Sequence, residues 1–406
     1  MTPDRPGSRW SPWRTVVGFG LVSLAGDMVY EGARSVYGPV LAALGASATA
    51  VGLITGAGEA TALLLRLVSG PFADRSRRYW TLTVAGYALT AVCVPLLAIT
   101  PALGAAGLAV AAGLILAERL GKAIRSPAKS ALLADAAGQI GMGRGLGVHK
   151  ALDQIGAFAG PLLVAAVVAA ASGRPWPALA VLAAPGALSI LILVVVRARG
   201  GSTPGLPPDA AAAPAGPATP MPRRFWWFAV AAGLCTAGLV TYGLIGYHLV
   251  RDHLVGTAGV PLLYAAAMAA GAVAALLTGF VYDRSGPWIL LTLPVLIAAV
   301  PVLAFGAGLA VVVAGILLWG AATGVLDSTV KALVADFVPR HRRATAYGLF
   351  AAVQGAGALA GGVAAGALYQ HSRAALIVAV ALSQAVALVV LIPLVGTTGP
   401  RRRSAG

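Results

Sequence analysis

The chain has 406 residues, of which 59% are hydrophobic and 10% charged, with a formal net charge of +16 and a mean hydropathy of +0.86. Soluble domains carry roughly 25% charged residues, so this composition excludes an ordinary soluble fold and predicts an all-α integral membrane protein embedded in the lipid bilayer. The positive charge does not predict a nucleic-acid partner, because the basic residues gather in short segments between apolar runs; Cys93 and Cys235 lie inside such runs, which argues against a disulfide framework or a Cys/His metal site.

The polar opening "MTPDRPGSRWSPWR" is followed by an apolar run too long for a signal-peptide core, so the first span is expected to stay in the mature protein. Twelve runs long enough to cross a bilayer follow, near 15–43, 49–73, 79–99, 103–125, 145–171, 178–196, 225–250, 259–282, 288–307, 309–332, 346–369 and 373–395. A Pro/Ala/Gly-rich stretch separates the sixth from the seventh. The expected organisation is an N-terminal six-helix half over 1–197, a linker over 198–222 and a C-terminal six-helix half over 223–406. Alternate loops are basic, with Arg75, Arg77 and Arg78, then Arg144, Arg197, Arg199, Arg223, Arg224, Arg284, Arg340, Arg342, Arg343 and Arg401 to Arg403. The positive-inside rule then predicts a multi-pass protein of the plasma or inner membrane with both termini and the linker in the cytoplasm.

The two halves repeat each other. "GPFADRSRR" from Gly70 follows the second run and "GFVYDRSGP" from Gly279 follows the eighth, so Gly-x-x-x-Asp-Arg recurs at one structural address. "ALLADAAGQIGMGRGLG" from Ala131 aligns without gaps to "ALVADFVPRHRRATAYG" from Ala332, matching Asp135 to Asp336. With Gly70, Asp74, Arg75 and Arg78, their second copy Gly279, Asp283 and Arg284, and twelve spans around a central linker, the chain resembles the major facilitator superfamily over essentially its whole length. In that family's loop an inner glycine precedes the last arginine; Arg77 replaces it in the first copy and Gly286 keeps it in the second. The resemblance implies two pseudo-symmetric six-helix halves that alternate access to a central cavity, with Asp74 and the basic loop locking one state. Asp135 is expected to pair with Arg75 or Arg78, and Asp336 with Arg284.

Charged residues inside the spans mark the candidate cavity, because a charge at mid-bilayer costs about 2.5 to 3.5 kcal/mol unless it faces protein or water. Asp27, Glu31 and Arg34 in "GDMVYEGARS" follow i, i+4, i+7 and share one helix face. The second span adds Glu59 and Arg66, the fourth Glu118, Arg119, Lys122 and Arg125 with Lys129 beyond, and the fifth His149 and Asp153 with Lys150 beside them. Asp27, Glu31 and Asp153, then Glu59, are the expected proton carriers, and Arg34, Arg119 and Lys122 the counter-charges; Lys129, Arg144 and Lys150 read as residues of the cytoplasmic surface. The C-terminal half is nearly apolar, with Tyr242, Tyr247, Tyr264, Trp319, Asp327, Lys331 and Gln354 as its polar or aromatic groups.

Within the superfamily the chain resembles a bacterial drug-exporter-like branch. "GAFAGP" from Gly156 is similar to the Gly-x-x-x-Gly-Pro core of the antiporter signature, although Val164 and Ala165 stand where a glycine pair usually follows and Ile115 stands where an arginine does. No metalloprotease, nucleophile-elbow or nucleotide-loop motif is present, so no enzyme activity, cofactor or metal is expected. The expectation is a monomeric secondary transporter whose partners are a small-molecule substrate and protons. Proton-coupled export of amphipathic compounds or drugs is the leading form; the alternative is an importer or exchanger of organic anions or polar metabolites, or a lipid exporter.

Overall fold

The computed structural model describes residues 10–200, 221–338 and 343–396. Hydrocarbon offers the backbone no hydrogen-bond partner, so each peptide group must be satisfied within its own segment, and these apolar runs fold as helices. They are α1 (Pro12–Arg34), α2 (Tyr37–Ala43), α3 (Ala48–Leu64), α4 (Arg66–Ser76), α5 (Tyr79–Leu96), α6 (Gly107–Gly138), α7 (Met142–Ala170), α8 (Trp176–Val181) and α9 (Ala183–Arg199), followed by α10 (Arg223–Gly238), α11 (Tyr242–Arg251), α12 (Gly259–Ser285), α13 (Thr292–Ala304), α14 (Leu309–Phe337), α15 (Arg343–His371) and α16 (Arg373–Gly396). Short 3₁₀ stretches, Leu97–Ala106 and Gly286–Leu291, join α5 to α6 and α12 to α13.

Eleven stretches of the described residues are long and apolar enough to span a membrane, one of them the 60-residue stretch Tyr79–Gly138. A helix of that length would measure about 90 Å, three bilayer cores, so it cannot be one span. It is broken at Gly104, whose φ of 53° and ψ of −127° end the helical path, and the fold therefore has twelve transmembrane helices. The first apolar run is not continuous either. It breaks at Ser35 and Val36, where Val36 leaves helical geometry at φ −119°, ψ 7°.

By packing, the described chain forms two compact units, one of residues 10–33 and 68–200 and the other of 34–67, 221–338 and 343–396. These cut across chain order, since α2, α3 and the start of α4 group with the C-terminal helices. In the first unit, α5 packs on α6 and α9, and α6 and α8 pack on α7. Its core gathers Val16, Phe19, Tyr79, Tyr87, Leu193 and Val196, all at most 2% exposed, and Phe19 stacks on Trp80 with ring centroids 5.7 Å apart. In the second unit, α3 packs on α15, α12 on α14, and α10 on α15 and α16.

Glycines set how close these helices come. A Cβ at Gly52 would lie 2.2 Å from the Gly362 carbonyl oxygen, which joins α3 to α15, and one at Gly320 would lie 2.0 Å from that of Ala267, which joins α14 to α12. In the first unit the same contact joins α7 to α1: a Cβ at Gly156 would sit 2.2 Å from Leu24 O, and one at Gly160 2.3 Å from Met28 O. These are backbone contacts, and a side chain would have to push the helices apart.

The repeated loop shows why the family favours glycine at its inner position. Arg77, just past α4, has φ 52°, and Gly286, just past α12, has φ 73°. Both residues leave their helices at positive φ, at no steric cost for glycine and about 1 to 2 kcal/mol for a residue with a Cβ; Gly286, with ψ −162°, lies in a region that essentially only glycine adopts. Arg77 holds it while its N–H bonds Ala73 O at 2.9 Å.

Two stability outcomes follow. Arg77→Gly should be more stable than Arg77→Ala by about 1 kcal/mol, read as a higher Tm of the detergent-solubilised protein, because only glycine relieves the left-handed strain; equal Tm values would contradict this. On α7, Gly160→Ala should destabilise by about 1 to 3 kcal/mol through overpacking against α1. Gly147→Ala on the same helix, where a Cβ meets nothing within 4 Å, should be neutral or stabilising.

Candidate functional site

The glycine contact between α7 and α1 brings carboxyl groups together. Leu24 and Met28, the residues against which Gly156 and Gly160 pack, flank Asp27, and Asp153 lies one turn before Gly156. The carboxyl groups of Asp27 and Asp153 thereby come close enough to interact directly. Two carboxyl groups this close can share one proton through a hydrogen bond. Lys150 Nζ donates to Asp153 Oδ2 at 2.7 Å, and Lys122 and Lys129 lie within electrostatic reach of Asp27.

Ser23, one turn before Asp27, joins the next layer. Its Oγ accepts from Lys129 Nζ at 2.8 Å and lies 2.9 Å from His149 Nε2 and 3.4 Å from the Tyr87 hydroxyl. Nothing in the sequence singles out Ser23, and Lys129, expected at the cytoplasmic surface, turns inward toward the acidic pair. An i+4 relation, Ser23 to Asp27 on α1 and His149 to Asp153 on α7, is the signal that would have linked them.

A second cluster surrounds Tyr30. Arg119 Nη1 donates to the Tyr30 hydroxyl, the Arg119 guanidinium carbon lies 4.5 Å from the ring centroid, and Lys122 Nζ lies 3.3 Å from it. Such cation–π contacts contribute about 2 kcal/mol when desolvated and let a cation rest on a neutral group. Arg125 does likewise, donating to Thr90 Oγ1 and lying 4.6 Å from the Tyr87 ring centroid. Between these bases sits Glu118, fully buried, with Arg119 Nε 3.5 Å from its Oε2 and neither carboxyl oxygen in a hydrogen bond. Glu31 lies within electrostatic reach of Glu118.

The predicted stripe on the first span is thus divided. Asp27 and Glu31 belong to this site, whereas Arg34 forms an ion pair with Glu59 at 2.8 Å in the other unit. Arg66, in that unit too, has a buried Nε without a hydrogen-bond partner. Tyr242, Tyr264 and Trp319 form one buried aromatic cluster, with Tyr242 4.6 Å from Tyr264 and 5.3 Å from Trp319 between ring centroids. Two of their polar ends are satisfied by backbone, Tyr242 on Val260 O at 2.6 Å and Trp319 on Val240 O at 2.7 Å. Gln354 donates to Thr236 at 3.3 Å, and Asp327 is exposed on α14.

At the repeated loop, Asp74 accepts from the Tyr79 hydroxyl at 3.1 Å, so it bridges the end of α4 to the start of α5. Among the described residues no ion pair joins Asp135 to Arg75 or Arg78; Asp135 lines a cavity of about 120 Å³ with Trp10, Phe19, Trp80 and Gln139. A Cβ at Gly70 or Gly279 would meet nothing within 4 Å, and Arg284 packs over the Phe280 ring at 3.8 Å. The side chains of Asp283, Lys331 and Asp336 lie outside the described residues.

Comparison with known proteins accords with this architecture. The model of the Major Facilitator Superfamily matches residues 19–316 and 258–406. The uncharacterized proteins Rv2265 of Mycobacterium tuberculosis and Mb2288 of Mycobacterium bovis are each 47% identical over 385 residues, covering 94% of this chain and 93% of theirs. A point mutant of the nucleoside transporter NupG matches with a TM-score of 0.74 at 13% identity, over 94% of this chain and 99% of that one. A POT family transporter in complex with 5-aminolevulinic acid matches with a TM-score of 0.71 at 12% identity, over 94% and 96%. Such identities speak for the fold alone, while the family model and the mycobacterial relatives reach across nearly the whole sequence. The chain belongs to the Major Facilitator Superfamily and is a multi-pass membrane transporter of small molecules, not an enzyme.

Proposed function

We propose that this transporter is a proton-coupled exporter of small amphipathic compounds, of the drug-exporter-like kind, with both termini in the cytoplasm. The observation that carries the coupling is the close contact of α7 with α1 at Gly156 and Gly160, which sets Asp27 and Asp153 side by side. While the pair holds its proton, the two acids attract and α1 and α7 stay together. Loss of the proton leaves two carboxylates side by side, and two unit charges 4 Å apart repel by about 4 kcal/mol at an effective dielectric constant of about 20. Lys122, Lys129 and Lys150 stand ready to take up that charge, so proton release becomes a change of partners between helices. Glu118, buried among Arg119, Lys122 and Arg125, is a second candidate for the same role.

The export direction is supported by the Gly156 and Gly160 spacing shared with the antiporter signature. The amphipathic substrate is supported by the mixed character of the site, where tyrosine ring faces and cations alternate. A second reading, transport of organic anions, draws on a different observation. Lys122 rests on the Tyr30 ring and Lys129 on the Ser23 hydroxyl, both neutral partners that an anionic group can displace without breaking a close ion pair.

Proton flux into proteoliposomes, followed on addition of amphipathic cations, organic anions, sugars and lysolipids in turn, tests both readings. Asp27→Asn and Asp153→Asn should each cut substrate-driven proton flux by about tenfold or more while the protein stays folded; flux equal to that of the unaltered protein would remove the pair from the mechanism. Competition by organic anions that is weakened about tenfold in Lys122→Gln would select the anion reading over the amphipathic one.

A further inference from the structure

The described acids and bases of the second unit include a cluster that the sequence left among its loops. His248, in the last turn of α11, is fully buried. Its ring meets Phe305 and Tyr369 edge to face, with centroids 5.3 and 5.8 Å apart. Nδ1 lies 2.9 Å from the Tyr369 hydroxyl on α15 and 3.6 Å from Asp252 Oδ2, one turn further along its own strand of chain. Nε2 is buried with no hydrogen-bond partner, and the Gly306 backbone, in the turn between α13 and α14, lies near the ring. Asp252 in turn accepts from Arg373 Nη2 at the start of α16. Arg251 is engaged elsewhere, donating to Tyr247 at 2.9 Å, and His253 and His371 are exposed.

We propose that His248 is a second proton-binding site, whose imidazolium is held at Nδ1 by Asp252 and Tyr369, with Asp252 passing from Arg373 to the ring as the proton arrives. The groups needed at Nδ1 are in place. An imidazolium has two N–H donors and wants an acceptor at each, whereas the neutral ring leaves Nε2 without a well-formed partner. One carboxylate lies between two cationic side chains and is bonded to one of them, so it can serve the other by a movement of about 1 Å toward hydrogen-bond distance. Asp252 and Arg373 are 28% and 41% exposed, which gives a proton a route from water to the buried ring. The bound proton would tie together the ends of α11, α15 and α16, all within the second unit. The proposal stands apart from the Asp27–Asp153 pair, which belongs to the first unit.

The test is ¹⁵N-histidine NMR of the full chain in lipid nanodiscs, titrated between about pH 8 and 4. The His248 signal is identified by its loss in His248→Gln and, should that variant not fold, by its selective shift in Tyr369→Phe. In the unaltered protein the two ring nitrogens should pass from unequal to nearly equal shifts as His248 takes up a proton. The midpoint should fall by about one pH unit in Asp252→Asn, which removes the acceptor, and rise in Arg373→Gln, which removes the competitor. A ring that stays one neutral tautomer over the whole range would overturn the proposal. So would a midpoint that is the same in all three proteins, or one that moves in the same direction in both variants, as a merely structural role would produce.

Discussion

The close approach of α7 to α1 is the constraint on which the site depends. Gly156 and Gly160 set their backbones against the carbonyls of Leu24 and Met28, and the carboxyl groups of Asp27 and Asp153 meet because the helices can come no nearer and need come no nearer. A membrane bundle has little hydrophobic drive to pull its helices together, since lipid is as apolar as the interior, so small residues and polar contacts supply the association. Here both act at one contact. The glycine spacing that reads as a packing motif in the sequence is also the device that holds two acids within reach of one proton.

Charge inside the first unit is managed in two ways. Some bases meet acids, Lys150 on Asp153 and Arg119 beside Glu118, while others rest on neutral groups: Lys129 on Ser23, Lys122 and Arg119 on Tyr30, Arg125 on Thr90 and Tyr87. A fully paired set of salt bridges in a low-dielectric interior would be hard to open, because separating buried partners leaves uncompensated charge. Cations on hydroxyls and ring faces can instead change partner at smaller cost, which suits a site that must alternate between occupants. The second unit contrasts with this, since its large aromatic side chains Tyr242, Tyr264 and Trp319 pack on one another, and Tyr242 and Trp319 close their polar ends on backbone carbonyls.

Much of the architecture was legible in the sequence, for a physical reason. A bilayer imposes a minimum length on each apolar run, and the runs near 79–99 and 103–125 stayed separable because Gly104 and its neighbours interrupt the helix where the hydropathy itself does not. The break at Ser35 and Val36 was not legible, since it lies in an apolar run with no proline or glycine at the break itself. The acids and bases of α1, α6 and α7 were identifiable because any charge in such a run needs a partner. Their pairing was not, because it depends on which helices are neighbours: Lys129, on the same arc of α6 as Lys122 and Arg125, bonds Ser23 of α1, and Arg34 pairs with Glu59 rather than with the acids on its own helix. Asp252, Arg373 and His248 went unread for the same reason, since three helix ends far apart in sequence converge on one ring. The positive φ at Arg77 was implied only by the glycine that stands at its counterpart, Gly286.

The most direct measurement of the central claim is infrared spectroscopy of the carboxyl stretching region of the protein in lipid, comparing the unaltered chain with Asp27→Asn and Asp153→Asn. A shared proton predicts a protonated-carboxyl band that is lost or displaced by either single substitution, because each removes one of the two groups that hold it. A band that persists unchanged in both variants would show that the proton resides elsewhere, and the contact between α1 and α7 would then be packing alone.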